Sequence, residues 1–340
     1  MTVITKTLHL FWHRRVAVIV IGLFIAAGNY IAAVFFNGLD AMYGSEAASV
    51  NVFDVSILSF APAGTLAVAG LAFLLEARKL GWEKSSIKRV LEAETVSCKT
   101  DLFYTVIYAS NLVAVLGFIF TFGISYYLGV QIREQLGWGL LTGVNTLIVL
   151  VVLLFANSLV FYVFHRIAHT RFLWELHKTH HSATEMNIIT NFRAHQLEKG
   201  LLGVCYALPP ALFGVSPVVA ILYAAFSGFI VLMQHADMDW NLPFIEKYIF
   251  IGAAEHRIHH SLDRKHQGKN LGYLVFWDWL FGTLHRQEGA RITIGIDDDL
   301  HHVQNSGNIK TELLGIYLQT LRSFVHEVRI TFGMAQEKQN

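Results

Sequence analysis

Long apolar runs without a charged residue are the feature of this sequence that most restricts its fold. Each is at least as long as the roughly 20 residues that a helix needs to cross about 30 Å of hydrocarbon. Four of them extend over Val16–Phe36, Val55–Leu75, Leu102–Ile132 and Gln135–Phe164. The runs predict four membrane-spanning helices.

A fifth run, Gly200–Gln234, is too long for one straight crossing and contains Pro209, Pro210, Gly214 and Pro217. Because proline and glycine interrupt helices, we expect two helical pieces that cross the membrane twice or dip in and return. Such a there-and-back path would bring the residues before and after the run to the same side.

The composition supports a membrane protein. Of 340 residues, 54% are hydrophobic and 15% are charged, whereas about a quarter are charged in a typical soluble domain. The net charge of +1 gives no sign of a nucleic-acid partner. Cys98, expected in a polar loop, and Cys205, in an apolar run, provide neither a disulfide framework nor a thiolate metal site.

The distribution of Lys and Arg predicts the orientation, because these residues are retained on the cytoplasmic side. The first 15 residues contain three of them, segment 37–54 contains none, and segment 76–101 contains six. We expect the N-terminus and the end of the fourth run on the cytoplasmic side, with the first run a retained span rather than a signal peptide. The tail from Ile309 to Phe332 has the spacing of an amphipathic helix.

Histidines gather where the apolar runs end. Two stretches share the pattern H-x-x-H-H, and a third is H-x-x-x-H. On a helix, residues three or four apart lie on one face and can share a metal ion. The ten candidate metal ligands are His165, His169, His177, His180, His181, His195, His235, His256, His259 and His260.

One ion takes four to six ligands, so ten imidazoles favour two metal ions. Imidazole ligands alone do not distinguish Zn, Cu, Fe and Ni. The metalloprotease pattern H-E-x-x-H is absent from the sequence. The other seven histidines are expected to be interfacial or structural: His9, His13, His266, His285, His301, His302 and His326.

Several motifs, in order, resemble the histidine boxes and closing motif of the fatty acid hydroxylase and sterol desaturase superfamily. They are HRIAH, LHKTHHS, FRAHQLE, QHAD and EHRIHHSLD, followed by KNLGYLVFWDWLFGTL. The resemblance covers roughly residues 145–290. The box at His195 reads H-Q-L-E where the family often has H-P-x-E, and Asp237 replaces the usual Asn.

The resemblance implies an all-α integral membrane helical bundle with a cytoplasmic-facing, histidine-rich metal domain. It makes the ten histidines ligands of two non-haem iron ions and O2 a co-substrate. The substrate would be a lipid from the bilayer. Since the chain has no flavin or dinucleotide fingerprint and no cysteine cluster, a separate ferredoxin, cytochrome or reductase would supply electrons. The expected domains are residues 1–135, 136–300 and 301–340.

Several polar residues near the boxes are expected to support the site, because metal-bound histidines usually donate their second ring N–H to an oxygen. We expect catalytic-site roles for Asp237, Glu255 and Asn270. Further candidates for this hydrogen bonding are Glu198, Asp239 and Asp278.

The expected activity is oxidation of an unactivated lipid C–H bond, with hydroxylation favoured over desaturation. A different class of function remains open, a membrane metal transporter or metal-binding protein that uses the histidines as a transient binding surface. Transport pathways usually place ionisable ligands near the bilayer midplane, and the runs contain almost none. An inactive scaffold of the same fold is a third alternative.

Overall fold

Helices are the main secondary structure in the part of the chain that the computed structural model describes. The described residues are 19–35, 55–112, 115–116, 119, 139–286, 292–297 and individual residues between 306 and 329. Among them no β-strand occurs, only isolated bridges joining Phe250 to Leu274 and Ser261 to Ile294. The all-α expectation is therefore confirmed for this part of the chain. The segment 37–54 and most of the tail 309–332 lie outside it.

The described residues include eleven helical segments. In chain order they are α1 (Ile19–Phe35), α2 (Val55–Leu80), α3 (Ser86–Glu92), α4 (Val96–Ala109), α5 (Thr146–Ala168), α6 (Arg171–His181), α7 (Gln196–Phe213), α8 (Pro217–Gln234), α9 (Pro243–Tyr248), α10 (Ala253–His259) and α11 (Val275–Leu280). Short 3₁₀ turns lie at Trp82–Lys84, Ile188–Phe192 and Arg264–His266. Cys98 lies buried in α4 and not in a loop, contrary to expectation.

The third apolar run is not one continuous helix. It begins inside α4, which ends at Ala109, and Asn111 has a left-handed φ of 59°. Asn29 of α1 satisfies the groups at this break: its Nδ2 donates to the Ala109 carbonyl at 2.9 Å, and its Oδ1 accepts from Asn111 Nδ2 at 3.0 Å. The polar residue inside the first run thus compensates a helix end in the third.

The fourth run also forms a shorter helix than expected, because α5 begins at Thr146. The Asn145 side chain caps it by accepting from the Leu147 N–H at 2.9 Å. Residues 139–145 turn across the end of α7 instead, and a Cβ on Gly139 would lie 2.1 Å from the Gly214 Cα. At its other end α5 continues past the run, so His165 lies within the helix and His169 follows directly after it.

The fifth run forms two helices, as predicted. The break lies at Gly214, with φ 66°, whereas Pro209 and Pro210 lie inside α7. Gly214 ends the helix because glycine takes up the left-handed conformation without steric cost. Both ends of the pair return to one place, since His180 Nδ1 lies 3.1 Å from the Arg193 carbonyl and His180 Nε2 lies 3.2 Å from His235 Nε2. This geometry agrees with the predicted there-and-back path.

A fully buried ion pair joins α4 to the segment between α6 and α7. Arg193 Nε donates to Asp101 Oδ1 at 2.6 Å, and both side chains are 0% exposed. The other Asp101 oxygen accepts from Asn187 and Thr190, at 2.6 and 2.8 Å, while Arg193 Nη2 donates to the Ser97 carbonyl at 2.7 Å. Because buried charges are tolerated only when paired and hydrogen-bonded, this network fixes the position of the Arg193 backbone.

Removing one partner of this pair should destabilise the fold strongly. We expect Arg193→Met or Asp101→Leu to lower the free energy of unfolding by about 3–5 kcal/mol, because each leaves an uncompensated buried charge. The double variant should be less destabilised than either single variant. Denaturant unfolding followed by circular dichroism measures this.

The exposed pair Lys265–Asp263, at 2.9 Å, provides the control. Lys265→Met should change the free energy of unfolding by less than about 1 kcal/mol. Equal stability of the Arg193→Met and Lys265→Met proteins would contradict the structural role assigned to the buried pair.

Candidate metal centre

Nine of the ten predicted ligand histidines converge at one end of the helices. They form two groups, and within each group one potential ligand atom per residue lies within 4.8 Å of all the others. The five-histidine group consists of His165, His169, His177, His181 and His259. The four-histidine group consists of His180, His235, His256 and His260.

The two groups touch each other. The His181 and His260 rings stack with their centroids 4.3 Å apart, and those of His177 and His180 are 5.4 Å apart. All of the rings are buried except His169, which is partly exposed. The arrangement is a single buried cluster with two centres.

Helix periodicity explains how each H-x-x-H-H stretch serves both centres. His177 and His181, four residues apart on α6, enter the five-histidine group, whereas His180 between them enters the four-histidine group. At α10 the assignment is reversed: His256 and His260 belong to the four-histidine group, and His259 belongs to the other. Each stretch thus contributes its first and last rings to one centre and its middle ring to the other.

Hydrogen bonds at Nδ1 orient many of the rings. The Nδ1 atoms of His165, His235 and His259 lie 2.6, 2.8 and 2.8 Å from the carbonyls of Leu271, Val231 and Lys269. A carbonyl can only accept, so these Nδ1 atoms carry the proton. The remaining Nε2 atoms of the neutral rings then have free lone pairs, which is the form that binds metal.

The spacing of the Nε2 atoms fits metal coordination. In the five-histidine group, His177 Nε2 lies 3.0 Å from that of His165 and 3.2 Å from that of His181. In the four-histidine group, the Nε2 of His256 lies 3.1 Å from His235 and 3.2 Å from His260. Two nitrogens about 2.1 Å from one ion, at about 90–100° to each other, are separated by about 3.0–3.2 Å. Both groups therefore suit a transition-metal ion held by imidazoles.

Burial keeps the rings neutral. Desolvation, with the charge of neighbouring rings, lowers the pKa of His259 to about 3, and desolvation lowers that of His235 to about 4. The pKa values of His180, His181 and His256 are lowered well below the ordinary range by the same cause. Deprotonated imidazole is the ligand form at neutral pH, so the folded protein presents its ligands ready to bind.

The tenth predicted ligand, His195, lies outside both groups. It caps α7, its Nδ1 accepting from the Leu197 N–H at 3.2 Å, and its ring lies 5.1 Å from that of Tyr317. Among the seven other histidines, His266 is buried and lies 5.0 Å from His285. The described part of the chain does not include His9, His13, His301, His302 or His326.

Two of the predicted carboxylates act on the histidine rings. Glu198 Oε1 lies 2.7 Å from His177 Nδ1 in a buried contact. Asp278 acts on His165 indirectly. Its oxygens accept from the Leu271 and Gly272 N–H groups at 2.8 and 2.7 Å and fix this loop, and the Leu271 carbonyl accepts from His165 Nδ1.

Asn270 and Glu255 hold the backbone around the site. Asn270, with a left-handed φ of 52°, donates through Nδ2 to the carbonyls of Glu255 and His285 at 2.9 and 2.8 Å. The Glu255 carboxylate pairs with Arg286 at 2.9 Å rather than with a ring. These contacts join the start of α10 to the closing motif.

The two remaining predicted carboxylates face away from the rings. Asp237 accepts from Arg89 Nη2 at 2.7 Å, and Asp239 pairs with Arg257. Both pairs are partly exposed. The structure thus brings neither of these side chains into contact with the histidine groups.

Sequence reasoning overlooked Trp174 and Arg193. The indole of Trp174 lies 5.4 Å from the His169 ring and 5.3 Å from the His181 ring, on the side where His169 is partly exposed. Arg193 supplies the carbonyl that receives His180. A lone arginine inside FRAHQLE, in so charge-poor a chain, was the available indication of a buried ion pair.

A small cavity lies against both groups. One wall is formed by rings from each centre: His165, His177, His180, His235 and His256. Apolar side chains such as Phe161, Phe164, Leu202 and Val231 form much of the rest. An apolar molecule in this cavity would lie directly beside both candidate metal positions.

Comparisons with known proteins agree with this geometry. Residues 150–283 match the family model for fatty acid hydroxylase. The chain is 33% identical to human alkylglycerol monooxygenase over 138 residues, 40% of this chain and 30% of that protein. It is 32% identical to an ornithine lipid hydroxylase of Rhizobium tropici over 126 residues, 36% of this chain and 38% of that one.

A methylsterol monooxygenase of Arabidopsis thaliana is 31% identical over 131 residues, 37% of this chain and 48% of its own length. The chain therefore spans less than half the length of each of these three relatives. No solved structure matches it. The matched segment contains all nine grouped histidines. Residues 150–283 thus match the fatty acid hydroxylase family, which supports the resemblance to the fatty acid hydroxylase and sterol desaturase superfamily.

Proposed function

We propose that this chain is a membrane-embedded di-iron oxygenase that hydroxylates an unactivated C–H position of a lipid, with desaturation as the alternative outcome. The observation that carries the proposal is the pair of contacting, all-histidine groups beside an apolar cavity. The names of the matched relatives, which are lipid hydroxylases and monooxygenases, support the reaction class.

Iron is the proposed metal at both centres. When bound, two iron ions would supply the reductive activation of O2 and the removal of hydrogen from carbon. The chain's own residues hold the ligands: Glu198 and the carbonyls of Leu271, Lys269 and Arg193 keep ring nitrogens pointed inward. Apolar side chains beside the rings, such as Phe161, Phe164 and Leu202, provide the surface that a hydrocarbon chain would contact.

Membrane embedding is proposed from α5 and its neighbours. Among the described residues, Thr146–Ala168 is long and apolar enough to cross a membrane. Its Leu147 and Val151 are 72% and 56% exposed, and Leu222 of α8 is 60% exposed. Such contiguous apolar exposure is unusual on a soluble protein. We propose several crossings, with the N-terminus and the histidine groups at the cytoplasmic face.

Electrons are proposed to come from a separate protein, a ferredoxin, cytochrome or reductase. The two free cysteines, Cys98 and Cys205, provide no iron–sulfur ligand set. The partly exposed ring of His169 and the adjacent Trp174 are the part of the five-histidine group nearest to solvent. Metal transport is the less favoured function, because the matched relatives are named for oxidation of lipids.

The proposed activity should be visible as a change in cellular lipids. Cells that produce the protein under isotopically labelled O2 should accumulate a lipid heavier by one labelled oxygen atom, or lighter by two hydrogens if desaturation is the outcome. His180→Ala should abolish the product, because it removes a ligand from the four-histidine group. Lipid mass spectrometry measures both.

His285→Ala is the matched control, since His285 lies outside both groups and bonds to Asn270 only through its backbone. It should retain the product. Full product formation by the His180→Ala protein would contradict the proposal, as would metal flux into proteoliposomes that needs no O2.

The two groups should lose metal separately. We expect about two metal ions per chain in the wild type and about one in His260→Ala, because His260 belongs only to the four-histidine group. His181→Ala should likewise lose the ion of the five-histidine group. Metal analysis of the purified proteins tests this, and a single ion per chain in the wild type would contradict two centres.

The metal-free protein should lose stability as the pH falls. The folded-state pKa values of His259 and His235, about 3 and about 4, lie below the ordinary value of 6.5. The unfolded chain therefore takes up protons first, and each such ring costs about 1.4 kcal/mol per pH unit below about 6.5. The stability is complete above that pH and is lost between about 6.5 and about 3.

Chemical unfolding of chelator-treated protein between pH 7.5 and 5.5 measures this loss. His235→Gln should show a shallower dependence than the wild type, and His285→Ala an unchanged one. An unfolding midpoint that does not move over this range would show that the rings are not held neutral by the fold.

A further inference from the structure

Lys199 is the one lysine or arginine that lines the cavity beside the histidine groups. It lies in the first turn of α7, where its N–H donates to the His195 carbonyl at 3.0 Å. The rest of the lining consists of five histidine rings, apolar side chains, Asn191 and the Glu198 carboxylate. A cation in such a place is costly unless it has a partner.

The Lys199 ammonium has more hydrogen-bond donors than the contacts of the described residues use. Its Nζ donates to the Asn191 carbonyl at 3.2 Å. An ammonium group has three donors, and Lys199 forms no ion pair within 4.0 Å among the described residues. The adjacent Glu198 carboxylate is directed to His177 instead. Donor capacity therefore remains at the cavity wall.

Lys199 also lies beside the four-histidine group. Three rings of that group, His180, His235 and His256, line the same cavity as Lys199. The ammonium and the candidate metal position are thus close neighbours along one cavity. A headgroup bound at Lys199 would place the first part of its hydrocarbon chain beside the rings.

We propose that Lys199 binds the anionic oxygen headgroup of the substrate, so that the enzyme selects lipids with a carboxylate or phosphate near the oxidised carbon. This inference rests on the proposed function and specifies its substrate class. Charge-assisted hydrogen bonds to an anionic oxygen are stronger than those to a neutral one. The low polarity of the cavity increases that difference, because neutral lipids gain only the apolar contacts.

Binding measurements test the proposal without requiring turnover. The purified full-length protein in nonionic detergent is titrated with palmitate, its neutral counterpart methyl palmitate, and palmitoyl lysophosphatidic acid, each competing with a fluorescent fatty acid. We expect the wild type to bind palmitate, lysophosphatidic acid or both at least about tenfold more tightly than methyl palmitate. The two anionic ligands distinguish a carboxylate site from a phosphate site.

Lys199→Met should abolish this preference while retaining affinity for methyl palmitate, and Lys199→Arg should preserve it. Lys265→Met, which removes an exposed lysine paired with Asp263, should leave it unchanged. Metal content measured on each variant shows whether the site is intact. The same preference in Lys199→Met as in the wild type would overturn the proposal.

If Lys199→Met does not fold, equal wild-type affinities for the anionic and neutral ligands overturn it. These outcomes are separate from those of the proposed function. A protein that prefers anionic lipids but forms no oxidised product would retain the Lys199 assignment and disprove the oxygenase. A protein that oxidises lipids without regard to headgroup charge would retain the oxygenase proposal and disprove the Lys199 assignment.

Discussion

Nine imidazole rings buried against one another can bind metal only through unprotonated nitrogens, and the rest of this structure depends on how these nitrogens are presented. A protonated ring in the cluster would face both desolvation and repulsion from its neighbours. Carbonyl and carboxylate acceptors at Nδ1 fix the proton on the outer nitrogen of His165, His177 and His259. The Nε2 nitrogens of these rings keep free lone pairs, and one metal cation can accept several of these lone pairs at once.

The supporting contacts come from segments far apart in the chain. Leu271 and Lys269 belong to the loop before α11, and Arg193 belongs to the segment before α7. The Arg193–Asp101 pair ties that segment to α4. The N-terminal helices, which carry no histidine of either group, thus contribute to the site by fixing the backbone that orients His180.

Much of the site could be predicted from sequence because spacing on a helix is a local property. The separation of His177 from His181, and of His256 from His260, is enough to place each pair on one face. Spacing could not show that His180 and His259 each belong to the other group from the neighbouring histidines of their own motif. This assignment depends on how α6 and α10 face each other. Nor could it separate His195, which lies in a similar motif but caps a helix.

The number of apolar segments in the fold could be predicted from sequence, but several helix ends could not. Hydrophobic runs gave the number of apolar segments, and glycine at position 214 ended a helix where local conformation required it. The predicted end of α4 and the predicted start of α5 were wrong because tertiary contacts determine them. Asn29 hydrogen-bonds to the carbonyl at the end of α4, and the segment at Gly139 packs against Gly214 instead of extending α5. Asp237 and Asp239 form ion pairs with arginines instead of contacting the rings, and tertiary packing that sequence motifs do not predict determines these pairs.

X-ray absorption at the iron edge of the iron-loaded protein tests the central claim most directly. Two centres built from these rings predict a first shell dominated by nitrogen at about 2.1 Å, with the outer-shell scattering of imidazole. A first shell dominated by oxygen, or one without imidazole scattering, would contradict the assignment of the two histidine groups as a di-iron centre.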